Sequence, residues 1–308
     1  MKNMNFQHPP GPDYQRPLGF MQNRAIRKEI RSLDPVKDCQ RIVYLMVGYE
    51  FTREVTSALD IVYLGSGGNN YMADILGRSH YLTDGMKRYD DSRFLIFKFL
   101  ESGWDQKDGA DAIRHINMLH SKYKIDNEQF VQALCVFLVA PVEWIDNFGW
   151  RKLTSIEKDA WYHFWINVGK LMEIRELPTS IEHAAKILKT YYRNIKAPSK
   201  YAKALGDSTL AVYVEKSPWY FKPFATTYYR SFYTDFLREA YQVEDLPAAV
   251  KYSVYSGIKL NSIVRRFLSP SPFPYVINRQ SLTTYGKGLP KVQDAGPSHI
   301  INQMKEQP

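Results

Sequence analysis

Two short segments hold the residue types best suited to chemistry: Lys87-Arg88-Tyr89-Asp90-Asp91-Ser92 and, about one loop later, Arg114-His115-Ile116-Asn117-Met118-Leu119-His120-Ser121-Lys122-Tyr123. At helical spacing His120 shares a stripe with Ile113, Ile116 and Tyr123, which sets an imidazole among apolar neighbours. One imidazole in such surroundings suits a haem, and it also suits a core histidine bonded to a carbonyl. Arg88 and Ser92 stand four apart on one helix face, where a guanidinium and a hydroxyl can hold an anion, a haem propionate or a bound oxygen species. That face reads equally as a solvated surface with Asp90, Asp91 and Arg93 in salt bridges.

Other chemistries find little support. The chain has seven histidines, and His115 and His120 lie about 140° apart around a helix, so the two cannot share one metal as a pair four apart does. Without a Cys-x-x-Cys-His segment any haem is non-covalent, b-type, and held by one axial imidazole. His163, between Tyr162 and Phe164, reads as a core residue in preference to a second ligand. Cys135 lies in an apolar run far from Cys39, the pattern of a buried thiol in a reducing compartment. Gly65 to Asn70 lacks the lysine of a phosphate-binding loop, and no Gly-x-Ser-x-Gly elbow occurs. The net charge of +9 is scattered among acids, with no zinc-finger spacing, so no nucleic acid is expected as a partner.

The elements that must position these residues read as all-α. Apolar residues recur at three and four from about Gly19 onward. Residues 1–33 form an extended arm and first helix, 34–268 one large helical domain, and 269–308 an irregular strap rich in proline. Within the domain, helices are expected from Pro35, over 53–63, over 83–102 ending at Gly103, from Asp105 or Asp108 through His120, and from Asp126 to just before Pro141. Capping boxes at Thr154/Glu157 and Thr179/Glu182 open two more, and 226–241 and 247–267 complete the set. The apolar stretch 130–145 is shorter than the ~20 residues of a spanning helix and is interrupted by Pro141 and Glu143. No membrane span or secretory signal is expected, only peripheral membrane contact at most, and the location is read as cytoplasmic.

Taken in order, the motifs resemble the MpaB-type oxygenases and latex-clearing proteins, the rubber oxygenases. Arg88-x-x-x-Ser92 is similar to that family's Arg-x-x-x-Thr pair, and Arg114 to His120 is similar to its Arg-x-x-x-x-Leu-His element. Tyr49-Glu50-Phe51, Asn117-x-x-His120, Trp144-Ile145-Asp146-x-x-Gly149-Trp150-Arg151, Phe164-Trp165-x-x-Val168-Gly169 and the tail from Thr284 to Pro297 look like the MpaB branch. The resemblance implies a globin-like helical core and non-covalent haem b with His120 as proximal iron ligand. Arg88 and Ser92 would shape the haem environment and serve catalysis, with serine keeping the hydroxyl of the usual threonine and losing its methyl. It implies O2 as co-substrate and oxidative cleavage of a C=C bond in an isoprenoid-like or other hydrophobic substrate, giving carbonyl-terminated fragments. The family's distal lysine and glutamate base have no assigned counterpart here. The 16 Phe, 22 Tyr and 6 Trp can line an apolar pocket. The alternative is a helical protein that binds haem or lipid without turnover.

Overall fold

Apolar residues at helical spacing fold into helices throughout the computed structural model, which describes residues 24–79, 81–194, 198–267, 282–285 and 290–306. Among these residues there is no strand, as the all-α reading requires. In chain order the helices are α1 (Arg24–Ser32), α2 (Cys39–Leu45), α3 (Thr52–Leu64), α4 (Asn70–Arg78), α5 (Tyr81–Ser102), α6 (Lys107–His120), α7 (Asn127–Phe148) and α8 (Ser155–Leu171). They continue with α9 (Ile181–Asn194), α10 (Ala202–Lys216), α11 (Lys222–Arg230), α12 (Asp235–Tyr241), α13 (Ala248–Phe267) and α14 (Ser298–Glu306).

The main apolar core joins α2, α3 and α5 to α9, with α5 laid along α6, α7 between α3 and α9, and α2 against α8. A second cluster, containing Tyr89, Tyr213, Leu237 and Tyr241, ties α10 and α12 to α3 and α5. Several resemblance motifs turn out to be braces of this core. Arg151 bridges the buried carboxylates of Glu50 at 2.9 Å and Glu157 at 2.7 Å, and its guanidinium lies 4.3 Å from the centre of the Phe51 ring. Trp150 donates its indole N–H to the Glu50 carbonyl at 2.6 Å. Between α2 and α3 the chain makes one π-helical turn, Met46–Glu50, that delivers Glu50 to this site.

The helix expected to stop before Pro141 runs through it to Phe148. A proline in a helix leaves the carbonyl four residues back without its N–H partner. Here that carbonyl belongs to Phe137, and it accepts the indole N–H of Trp161 from α8 at 3.2 Å. The helix therefore continues at little cost. At 22 residues α7 has the length and composition to cross a membrane, but most of its apolar window is buried inside the fold.

Other boundaries also differ from the sequence pattern. Asp34 caps a turn, accepting from Val36 and Lys37, and α2 starts only at Cys39. Asn69, expected in a flexible turn, N-caps α4 by accepting from Tyr71 and Met72. The Thr154/Glu157 capping box is formed. At α9 the cap lies one residue later, with Ser180 Oγ accepting from the His183 N–H while His183 Nδ1 accepts from the Thr179 N–H. The expected helix 226–241 is two helices, α11 and α12, with Thr234 capping the second. In the tail α14 forms directly after Pro297, since a proline ahead of the first turn needs no N–H. The expected arm before residue 24 and the strap over 268–281 lie outside the described residues.

Substituting Trp161→Phe leaves the Phe137 carbonyl unsatisfied and is expected to lower stability by about 1–3 kcal/mol. In a Pro141→Ala background, where an N–H returns to the helix, the same substitution should cost clearly less. Denaturant unfolding of the four variants of this cycle measures the coupling.

Candidate functional site

The roll of α5 about its axis sorts its polar residues. Lys87, Asp90 and Asp91 engage the tail and α10, whereas Arg88 and Ser92, one turn apart, line a cavity in the main core that Asp91 also borders. The alternative of a solvated face is thus corrected: Asp90 and Asp91 are ion-paired, as that reading had them, but buried. Asp90 pairs with Lys216 of α10 and accepts from the N–H and hydroxyl of Thr284. Asp91 pairs with Lys87 at 3.0 Å and accepts from the Tyr285 hydroxyl.

His120 is the last residue of α6 and lines the same cavity, its ring 5.4 Å from that of Phe130. Arg88, Ser92 and His120 are therefore brought together at one cavity. The cavity has a volume of about 680 Å³, within the ~300–1,000 Å³ of small-molecule and cofactor sites. Its wall is mostly apolar, with Leu95, Ile116, Phe130, Phe137 and Trp165 among the lining residues. His120 keeps some accessible surface because it faces this interior space, yet it is remote enough from bulk solvent for burial to dominate its titration. Burial, assisted by the Arg88 cation, holds the imidazole down at about 4, so it is neutral at physiological pH with a lone pair to offer.

Among the described residues, buried polar atoms on this wall without a hydrogen-bond partner include His120 Nδ1, Arg88 Nε, the Tyr63 and Tyr123 hydroxyls and Trp165 Nε1. Each such orphan costs roughly 1–3 kcal/mol, and their convergence on one cavity marks a site shaped for a ligand. Metal-bound histidines usually donate their second ring N–H to an acceptor, and His120 has none. Among the described residues no cluster of three histidine, cysteine or carboxylate side chains is poised for a metal. The site offers one imidazole, which suits a cofactor that supplies its own equatorial donors. His115, on the other side of α6, is spoken for: its Nε2–H donates to the Ala295 carbonyl at 2.6 Å. His163 lies in neither of the two cavities.

The tail closes this cavity. Gly296 and Pro297 line it, with Lys87 donating to the Gly296 carbonyl at 2.8 Å and His115 fastening Ala295. Gly296 has φ +139, and a Cβ there would meet Leu119 at 2.9 Å. Glycine is thus required twice over. Sequence reasoning missed this clamp, and it missed Asp60 of α3. Asp60 lines the cavity and also a second, outer one, accepts from the Tyr89 hydroxyl at 2.9 Å, and is pushed up to about 6 by burial against the opposing pull of Arg93. An acid on an ordinary helix carries no sequence signal for such a place.

With this architecture and site in view, the comparisons identify the class. Residues 62–259 match the family described as "ER-bound oxygenase mpaB/B'/Rubber oxygenase, catalytic domain", and the chain belongs to that family of oxygenases. Relatives include the ER-bound oxygenase mpaB' of Penicillium brevicompactum, 26% identical over 60% of this chain and 47% of that protein. The ER-bound oxygenase mpaB of Penicillium roqueforti (strain FM164) is 26% identical over 50% of this chain and 57% of its own length. The mpaB of Penicillium brevicompactum is 33% identical over 29% of this chain and 24% of that protein. The chain thus spans about half or less of the curated relatives it matches.

Two outcomes follow from the electrostatics. His120 is held neutral in the fold, with its pKa below the ordinary 6.5. The unfolded state therefore binds more protons between pH 6.5 and about 4, and acidification through that window destabilises the fold by on the order of 1 kcal/mol per pH unit. The slope should flatten in His120→Leu and, as removal of the cation raises the imidazole's pKa, shift in Arg88→Met. Chemical denaturation of the ligand-free protein across that range reads both. Lys87→Met, which strands Asp91, should cost on the order of 2–3 kcal/mol, and Lys87→Met/Asp91→Leu should recover much of it in the same assay.

Proposed function

We propose that this protein is a haem b-dependent oxygenase that cleaves a C=C bond of an isoprenoid-like or other hydrophobic substrate with O2. One observation carries the reading: a neutral imidazole whose buried Nδ1 has no partner among the described residues faces an apolar cavity beside the partly buried Arg88, whose buried Nε also lacks a hydrogen bond. His120 would hold the haem through its imidazole, Arg88 would neutralise a propionate or another anionic group, and the Ser92 hydroxyl would donate a hydrogen bond one turn away. The bound haem would supply the iron chemistry that activates O2.

The chain's own residues define what can happen around that group. The depressed pKa keeps the His120 lone pair free of protons through the neutral range. Leu95, Ile116, Phe130 and Phe137 exclude water and favour an apolar chain over a polar one. Asp60, the one carboxyl group among the described residues shared by the two cavities and pushed up to about 6 by burial, can hold or release a proton where they meet. Membership of the oxygenase family supports turnover over simple storage.

Protein expressed with ample haem precursor should show a Soret band that His120→Ala loses while keeping its helical circular dichroism. Incubation of the holoprotein with an unsaturated isoprenoid should consume O2 and yield carbonyl products. A protein that cannot take up added haemin would overturn the haem reading. Haem uptake without oxygen consumption on any unsaturated lipid would leave a carrier.

A further inference from the structure

A folded protein rarely leaves a tryptophan in open solvent, and here three large aromatics in one six-residue stretch are left there. Trp219 is 84% exposed, Tyr220 65% and Phe224 64%. They stand at the turn into α11, where Ser217 caps α10 in extended conformation and Pro218 turns the chain. Nearby, α13 has a single buried residue, Ser262, and shows solvent an apolar stripe of Tyr252, Leu260, Ile263 and Phe267 at spacings of three, four and eight. The two features flank one opening. Tyr220 and Phe224 line an outer cavity of about 840 Å³ together with Ser253, Gly257 and Asn261 of α13. A Cβ added at Gly257 would meet nothing within 4 Å, so this side of the helix is open space.

Charge distinguishes what covers such a face. Residues 216–230 and 248–267 hold seven lysines and arginines and no acid. Lys216, Lys222, Lys251 and Arg265 are paired with acids from neighbouring elements. Among the described residues Arg230, Lys259 and Arg266 have no carboxylate partner; there Arg230 and Arg266 donate to backbone carbonyls. An isologous pairing of two copies would set these cations against one another. Tryptophan and tyrosine with uncompensated lysine and arginine suit the interface of an anionic bilayer, where the rings enter the headgroup region and the cations meet lipid phosphates.

We propose that the Trp219-Tyr220-Phe224 knuckle and the exposed stripe of α13 form a docking surface for an anionic lipid bilayer, with the mouth of the outer cavity turned to the membrane. The outer cavity shares Thr56, Asp60, Tyr89 and Arg93 with the inner one, so an apolar molecule leaving the bilayer at this rim lies next to the cavity that His120 lines. The docking stands on exposure and charge alone and does not depend on His120 holding a haem.

The test is co-sedimentation of the full chain with vesicles of phosphatidylcholine, with and without phosphatidylserine. Wild-type protein should bind the phosphatidylserine vesicles and be released by salt. Trp219→Ala/Phe224→Ala should weaken binding at least roughly tenfold, and Lys259→Glu/Arg266→Glu should remove most of its salt dependence. Because all of these side chains are exposed or lie at the surface, helical circular dichroism should be unchanged. Trp219 is the only tryptophan among the exposed large hydrophobics, so acyl-chain-brominated lipids should quench wild-type emission and spare Trp219→Phe. Absence of sedimentation at low ionic strength, or binding unaffected by the double substitution, would overturn the proposal. So would a solution dimer, seen by light scattering, that the double substitution dissociates, since the face would then belong to a second copy.

Discussion

Two adjacent carboxylates taken out of water on α5 set the terms for the rest of the molecule. Asp90 and Asp91 are almost fully buried, and a buried carboxylate without partners is strongly destabilising. Their partners come from three directions: Lys87 one turn back, Lys216 on α10, and the hydroxyls of Thr284 and Tyr285 in the tail. Satisfying these bonds leaves α5 one rotational setting. In that setting Arg88 and Ser92 face the cavity, and the tail is drawn across its edge.

The tail's capture matters as much as the helix's roll. Lys87 serves Asp91, the Tyr285 hydroxyl and the Gly296 carbonyl together, while His115 holds Ala295 from α6. One ammonium thus couples the acid that orients Arg88 to the backbone that closes the site. A charged group with three acceptors in a region of low dielectric resists displacement. Inside the closure the balance is reversed: apolar walls, a neutral imidazole, a cation, and polar atoms left without partners. Such an arrangement is expensive for a ligand-free fold, and strain of this kind concentrates at functional sites.

Behind the cavity, buried ion pairs and indole N–H groups repair local irregularities that a bundle of ideal helices would not contain. The π-helical turn at Met46–Glu50 presents Glu50 to Arg151, and Arg151 also neutralises Glu157, whose carboxylate completes the capping box of α8. Trp161, on the same helix, supplies the donor that Pro141 withholds from α7. The motifs that most resemble other family members outside the cavity are therefore largely braces, and their spacing reflects the distances across which one helix must support another.

What the sequence determined by itself was local or periodic. Helical spacing of apolar residues suffices for the all-α class, the Thr154/Glu157 box for the start of α8, and Gly103 for the end of α5, because each depends on a few adjacent residues. The four-residue interval between Arg88 and Ser92 was likewise enough to place them on one face, and the stripe around His120 to place it inward. What only the tertiary structure decided depended on partners distant in the chain. Pro141 reads as a helix stop until Trp161, twenty positions later, replaces the missing donor. Asp90 and Asp91 read as solvated until Lys216 and residues near 284 reach them. Asp60 carries no signal in the sequence, and only the fold brings α5 and α10 to it, with the Tyr89 hydroxyl donating to its carboxylate and the Tyr213 hydroxyl to its backbone carbonyl. A proline's missing bond and a carboxylate's need for a cation are visible in one dimension, but the groups that answer them are selected by proximity in three.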